Sequence, residues 1–282
     1  MMKKKLGILL IHGSGAAHYK LLDKFILNLK KCIHHASANA EEVEIIAANW
    51  HPAVQTYQEN LWARLDTPEH ALKCKALRKF VLYTISDNVA YSGYPDKYNT
   101  AYGAIHHIIH EYVVRLKEML EEDAPLMIIA SSLGTVIISN YIWDRQHPEG
   151  EDLLGTSAFE RMETLTGLYT FGNNMPIYLG SYDIDKLVAI QFPSPAMPGQ
   201  LKPLARWENI YSKQDAMGYP IRTINDTYYK SVTADIQMNI GGLLTFWNSV
   251  SHVRYWSSRK IQKRIAVHVK DILEQYHLPV LA

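Results

Sequence analysis

Cysteine is scarce. Cys32 and Cys74 are the only two in 282 residues, and neither stands in a metal-binding or redox spacing. That excludes a disulfide framework as the organising feature, and free thiols in a reducing, cytoplasmic setting are the expectation. Net charge is almost absent too. Lysines and arginines number 29 against 28 acids, a formal +1, and no run of one sign is longer than Lys3-Lys4-Lys5. This balance lacks the signature of a nucleic-acid or anionic-membrane binder, so neither partner is expected. No apolar run reaches transmembrane length. The nearest, residues 240–250, is interrupted by two glycines, Thr245 and Asn248, so no membrane span is expected. The first residues imitate a signal peptide, lysines followed by Leu6-Gly7-Ile8-Leu9-Leu10-Ile11. The apolar part is strand-length, whereas a signal core needs roughly 7–15 residues. Internal repeats and low-complexity linkers are also missing, so one domain over residues 1–282 is expected.

What is present is a large apolar fraction, 48%, enough for a sizeable core. Short buried runs alternate with amphipathic ones. Leu6–Ile11 reads as a strand ending in His12-Gly13-Ser14-Gly15. Residues 19–33 carry Leu22, Phe25, Ile26, Leu29 and Ile33 at helical spacing, and Val43–Ala48 is a second strand. Residues 101–122 form a strongly amphipathic helix. Further strands are expected at 126–129, Leu165–Phe171, 207–211 and 235–240, with 187–192 a candidate edge strand and a final helix over 255–276. Alternating strands and helices predict an α/β fold, a doubly wound, mainly parallel sheet with helices on both faces.

Residues 50–102 interrupt the alternation. They contain an expected helix starting near Pro68, with Thr67 as its N-cap, then a tyrosine-rich loop over 86–98. Such a segment after the second strand lies at the C-terminal edge of the sheet, where open α/β folds bind ligands. It reads as an insertion that roofs a site. The aromatic residues of this segment and Trp247 are candidates for the pocket wall, with core packing an equal alternative.

The most informative stretch is Pro125 to Asn140. A buried run, 126–129, meets Ala130-x-Ser132-x-Gly134, and an unbroken apolar helix follows. Ser132 would then sit on a sharp strand-to-helix turn whose neighbours two before and two after must be small. Ser131 in that role would put Ile129 and Leu133 at the small positions, which is sterically wrong. The loop after 207–211 carries Asp215, and His252 precedes the final helix.

The order Ser132, Asp215, His252, with His12-Gly13-Ser14-Gly15 upstream, resembles the α/β-hydrolase superfamily, with Ala130 in place of the first glycine of the usual G-x-S-x-G. The surroundings of Asp215 and His252 look like those of its esterase- or lipase-like members. The resemblance implies a serine hydrolase acting on a small-molecule carboxylic ester or related acyl bond, with no cofactor and no metal. Ser132 would be the nucleophile, His252 the general base and acid, and Asp215 the group that orients the imidazole. Oxyanion donors would be the N–H of Leu133 and one from the first loop, Ser14 first and Gly15 next. Asp183, Asp185 and Asp226 compete for the acid's place, and Asn173 or Asn174 marks another position but carries no charge. Thioester hydrolysis or acyl transfer by the same triad is an alternative. So is a non-catalytic binding protein on the same scaffold. His12 reads as structural. His106 and His110, four apart on one helix, could share a metal ion, but no third ligand is evident. His34 and His35 end the first helix, where its dipole favours them.

Overall fold

In the computed structural model the described residues are 3–15, 19–37, 39–92, 100–148, 156–240, 252 and 254–276. Trp247, and residues 93–98 of the expected tyrosine-rich loop, lie outside them. Six strands form one sheet: β1 (Leu6–Ile11), β2 (Val43–Ala48), β3 (Leu126–Ser131), β4 (Leu165–Phe171), β5 (Arg206–Tyr211) and β6 (Ala234–Gln237). Every pairing is parallel and the order is β2-β1-β3-β4-β5-β6. Strands β1, β3 and β4 are buried along their whole length, while β6 is not. Continuous apolar runs belong at the centre of a parallel sheet, because both faces are covered.

The helices are α1 (Tyr19–Ala36), α2 (Pro52–Leu65), α3 (Lys75–Ser92), α4 (Thr100–Glu118), α5 (Leu133–Gln146), the short α6 (Met175–Leu179) and α7 (Asp226–Ser231), and α8 (Arg259–Tyr276). Side-chain alternation along the strands divides the core in two. Ile8, Leu10, Met127 and Ile129 pack with Phe25 of α1 and Ile265 of α8. Leu9, Ile11, Ile128 and Ala130 pack on the opposite face with Val113 of α4 and Ile137 of α5. The sheet is therefore wound on both faces. The chain reverses direction across the sheet between β1 and β3, since β2 lies on one side of β1 and β3 on the other. Such a switch point opens a crevice at the strands' C-terminal ends. Among the described residues no helix is long and apolar enough to cross a membrane.

Three expectations are corrected. No helix starts at Pro68. Pro52 instead opens α2 at its first turn, and Ala71 and Cys74 adopt positive φ, which separates α2 from α3. Ser86, Asp87 and Asn88 are helical, inside α3, rather than in a loop. Residues 187–192 are not a strand. Their backbone is satisfied by side chains: Gln191 N–H donates to Gln146 Oε1 (2.9 Å), Gln146 Nε2 donates to Gln191 O (2.7 Å), and Ala189 N–H donates to Thr227 Oγ1 (3.0 Å). The sheet edge belongs to β6.

One polar contact ties α8 to the sheet. His268 donates from Nε2 to Leu204 O (2.7 Å), which leaves Nδ1 to accept from the Tyr169 hydroxyl (2.9 Å). Burial, helped by nearby Arg206, pulls His268 down to about 4 from the ordinary 6.5. The unfolded chain thus binds this proton more readily than the folded one. The stability it affects is intact above pH 6.5 and lost as pH falls toward 4, by at most roughly 3 kcal/mol. Urea denaturation at stepped pH should show a shallower loss over that window in His268→Gln than in the wild type. Equal slopes would rule out His268 as the source.

Candidate active site

The site begins with a close approach between two turns. The loop after β1 and the turn after β3 lie side by side at the switch point. A Cβ on Gly134 would stand 2.6 Å from the His12 carbonyl oxygen, and one on Gly13 would stand 2.7 Å from the Ser132 Cβ. Neither distance is tolerable between non-bonded heavy atoms, so both positions must be glycine. Ser132 itself has φ 53° and ψ −132°, in a region that favours glycine. The cost of such a conformation is about 1–3 kcal/mol, sustained only where the surroundings over-determine it.

They do so here. The Ser132 N–H donates to Phe171 O (3.1 Å), and its carbonyl accepts from Thr135 N–H (2.8 Å) and lies 2.7 Å from Thr135 Oγ1. That hydroxyl is also within reach of Asn173 Oδ1 (3.0 Å), which in turn accepts from Met175 N–H (3.0 Å). Asn173 is thus a buried brace for the turn. Helix α5 starts immediately after Ser132, so the Leu133 N–H is at the first helical position, which has no intrahelical acceptor. Ser131 stays in β3.

Asp215 and His252 meet as a buried pair. His252 Nδ1 lies 2.8 Å from Asp215 Oδ2 and 3.0 Å from Oδ1. Asp215 also accepts from Met217 N–H (3.0 Å) and from the Tyr255 hydroxyl (2.9 Å), and that same Tyr255 oxygen accepts from Ser212 N–H (3.0 Å). Burial alone would push the Asp215 carboxyl up. The His252 hydrogen bond and charge, with the Met217 and Tyr255 donors, outweigh it and hold the carboxyl below its usual range. A carboxylate on Nδ1 fixes that nitrogen as the donor, which leaves Nε2 as the basic one. Nε2 is buried and has no hydrogen-bond partner among the described residues. It therefore makes no hydrogen bond to the Ser132 hydroxyl in this structure.

Ser132, His252 and Ser14 line one cavity of about 1370 Å³, with Asp215 behind His252. Its wall is mainly apolar, including Val136, Trp143, Ile177 and Ile190. No acidic side chain lines it among the described residues, and the one lysine, Lys186, is paired with Asp183 (3.1 Å). Helix α3 contributes Phe80, Ile85 and Val89, all exposed yet part of this wall. Part of the segment after β2 thus lines this cavity. Met175, Tyr178 and Leu179 of the short α6 complete another side.

Of the named oxyanion donors, Gly15 has its N–H taken by Asp87 Oδ2 (2.7 Å). Asp183 and Asp226 are placed elsewhere, at the start of a short 3-10 turn and of α7. His12 is structural: its ring stacks on Trp50 (centroids 4.9 Å apart), whose Nε1 donates to the His12 carbonyl (3.0 Å). Three of the four ring nitrogens of His106 and His110 are engaged by protein side chains. His106 Nδ1 pairs with Asp144 (2.9 Å) and Nε2 with the Tyr91 hydroxyl (2.8 Å), and His110 Nδ1 lies 3.1 Å from the Tyr141 hydroxyl. Tyr255 and Asp87 are the residues that the sequence did not single out, and Asn173 enters as a brace for the turn. For Tyr255 a signal existed, its place three residues after His252. Comparisons with family models, with curated proteins and with solved structures found no match.

Tyr255→Phe removes one donor from a charged carboxylate, a loss of about 1.5–3 kcal/mol. Urea denaturation should register that loss. NMR titration should also show the Asp215 carboxyl moved up toward 3.8. An unmoved titration would remove Tyr255 from the set of groups that charge Asp215.

Proposed function

We propose that this chain is a serine hydrolase of the α/β-hydrolase superfamily, cleaving a carboxylic ester or related acyl bond. The observation that carries the reading is a single constellation. A strained serine at a strand-to-helix turn shares a cavity with a histidine whose far nitrogen is held by a buried carboxylate. A positive-φ serine that lines the same cavity as a buried imidazole nitrogen without a hydrogen-bond partner supports this reading over packing alone.

In this mechanism the Ser132 hydroxyl attacks the substrate carbonyl as His252 Nε2 takes its proton. Asp215 stabilises the imidazolium and holds the ring in the tautomer that leaves Nε2 basic. The tetrahedral oxyanion accepts from the Leu133 N–H and from the Ser14 N–H. The proton on Nε2 then passes to the departing alcohol, which leaves Ser132 acylated. Water, deprotonated by His252, attacks the acyl-enzyme, and the acid departs as the serine regains its proton. The apolar wall, with no acidic side chain among the described residues that line it, suits an uncharged acyl chain or alcohol. The two unpaired cysteines fit the cytoplasmic location proposed with this activity.

A fluorophosphonate probe tests the nucleophile. The wild type should be labelled once per chain, and Ser132→Ala should lose labelling with its fold intact. Hydrolysis of a p-nitrophenyl ester should fall at least about 10⁴-fold in Ser132→Ala and in His252→Ala. A folded wild type that resists the probe would sink the proposal.

A further inference from the structure

Helix α3 does more than cover the cavity. Two consecutive residues of it grip the loop after β1. Asp87 has 0% exposure, although it is an acid. Its Oδ2 accepts from Gly15 N–H (2.7 Å), its Oδ1 accepts from Gln58 Nε2 (2.5 Å), and His51 Nε2 lies 3.9 Å from that oxygen. Next to it, Asn88 donates from Nδ2 to Ser14 Oγ (2.9 Å) and to Thr84 O (2.6 Å), and accepts from the Tyr178 hydroxyl. Gly15 has φ 86°, so the chain turns sharply at the very residue whose N–H Asp87 holds.

The consequence is geometric. Asp87 fixes the plane of the Ser14–Gly15 peptide, and Asn88 fixes the Ser14 side chain. With the following peptide and the side chain both held, Ser14 cannot rotate about its Cα. The direction of its own N–H is then set. Burying a carboxylate is costly unless its oxygens are filled. Here a backbone N–H, an amide and a histidine surround it, 72 residues away in sequence from the loop it holds. Burial still pushes the Asp87 carboxyl above its ordinary value, which the Gly15, His51 and Gln58 contacts offset only in part.

We propose that Asp87 is a positioning residue: through Gly15 N–H, and with Asn88 on Ser14 Oγ, it aims the Ser14 N–H at the carbonyl oxygen of a substrate on Ser132. The inference rests on the hydrolase reading. Asp87 touches no substrate. It acts by pre-organising a donor, and a pre-organised donor matters most in the transition state. Removal of the group should therefore lower kcat and leave KM alone.

The test is p-nitrophenyl butyrate hydrolysis, with kcat expressed per site labelled by the fluorophosphonate, so that misfolded protein is not counted. Losing an oxyanion donor outright costs about 10²–10³ in kcat, and misaiming one should cost about 10–100-fold in Asp87→Ala with KM within about twofold. Asp87→Asn keeps an acceptor for Gly15 N–H and should recover to within about fivefold of the wild type. If kcat per site in Asp87→Ala stays within about threefold of the wild type, or if KM rises instead, the inference is overturned. Should Asp87→Ala not fold, Asn88→Ala carries the test. A lower kcat at constant KM supports the inference, and an unchanged kcat overturns it. A wild type that the probe never labels overturns the hydrolase reading and this inference together. A labelled wild type with an intact Asp87→Ala overturns this inference alone.

Discussion

How closely two backbone turns approach each other decides everything at the switch point. Gly134 lies against the His12 carbonyl and Gly13 against the Ser132 Cβ. No side chain fits between them, so the loop after β1 and the start of α5 behave as one unit. Ser14 and Leu133, the candidate oxyanion donors, therefore sit on the two turns that Gly13 and Gly134 hold together. Parallel register makes this possible, since β1 and β3 run side by side from Gly7–Leu126 to Ile11–Ala130 and end together. The histidine and its carboxylate come from further along the chain, but they too arrive beyond the C-terminal ends of the strands. The cavity exists because the sheet stops there while α3 and α6 continue over it.

Residues whose role is local or periodic were legible in the amino-acid order. The apolar runs of β1, β3 and β4 announce buried parallel strands, and the stripes of α1 and α4 announce helices over them. Ser132 stood out because only its neighbours two before and two after are both small. Asp215 and His252 followed from chain order. The segment after β2 was harder for a physical reason. Helix α2 buries only Val54 and Gln58, and the described residues of α3 bury only Asp87 and Tyr91. A helix that hides so little has no clear apolar stripe to read. Residues 187–192 misled in the opposite way. Their composition suits a strand, but Gln146 and Thr227 supply the hydrogen bonds that a neighbouring strand would have made. The partner of the Gly15 N–H could not be read from the sequence, because Asp87 lies 72 residues away.

Three buried acids of the interior are each surrounded by hydrogen-bonding partners. Asp215 has His252, Met217 N–H and Tyr255. Asp87 has Gly15 N–H, Gln58 and His51. Glu208 on β5 pairs with Arg264 of α8 through two hydrogen bonds (2.5 and 2.8 Å). A buried carboxylate stripped of even one such partner is more costly than no carboxylate at all. The three acids therefore also act as specificity devices, because alternative packings of α3, α8 or the Asp215 loop would strand a charge.

The strained backbone at Ser132 gives the fold an internal conflict. A glycine there would adopt the same angles without penalty, so pressure for a sturdier protein pushes toward losing the hydroxyl. Any search for heat-resistant variants that scores only survival would be drawn to this position first. On the hydrolase reading proposed above, the strain and the oxygen cannot be separated: relaxing the one means giving up the other.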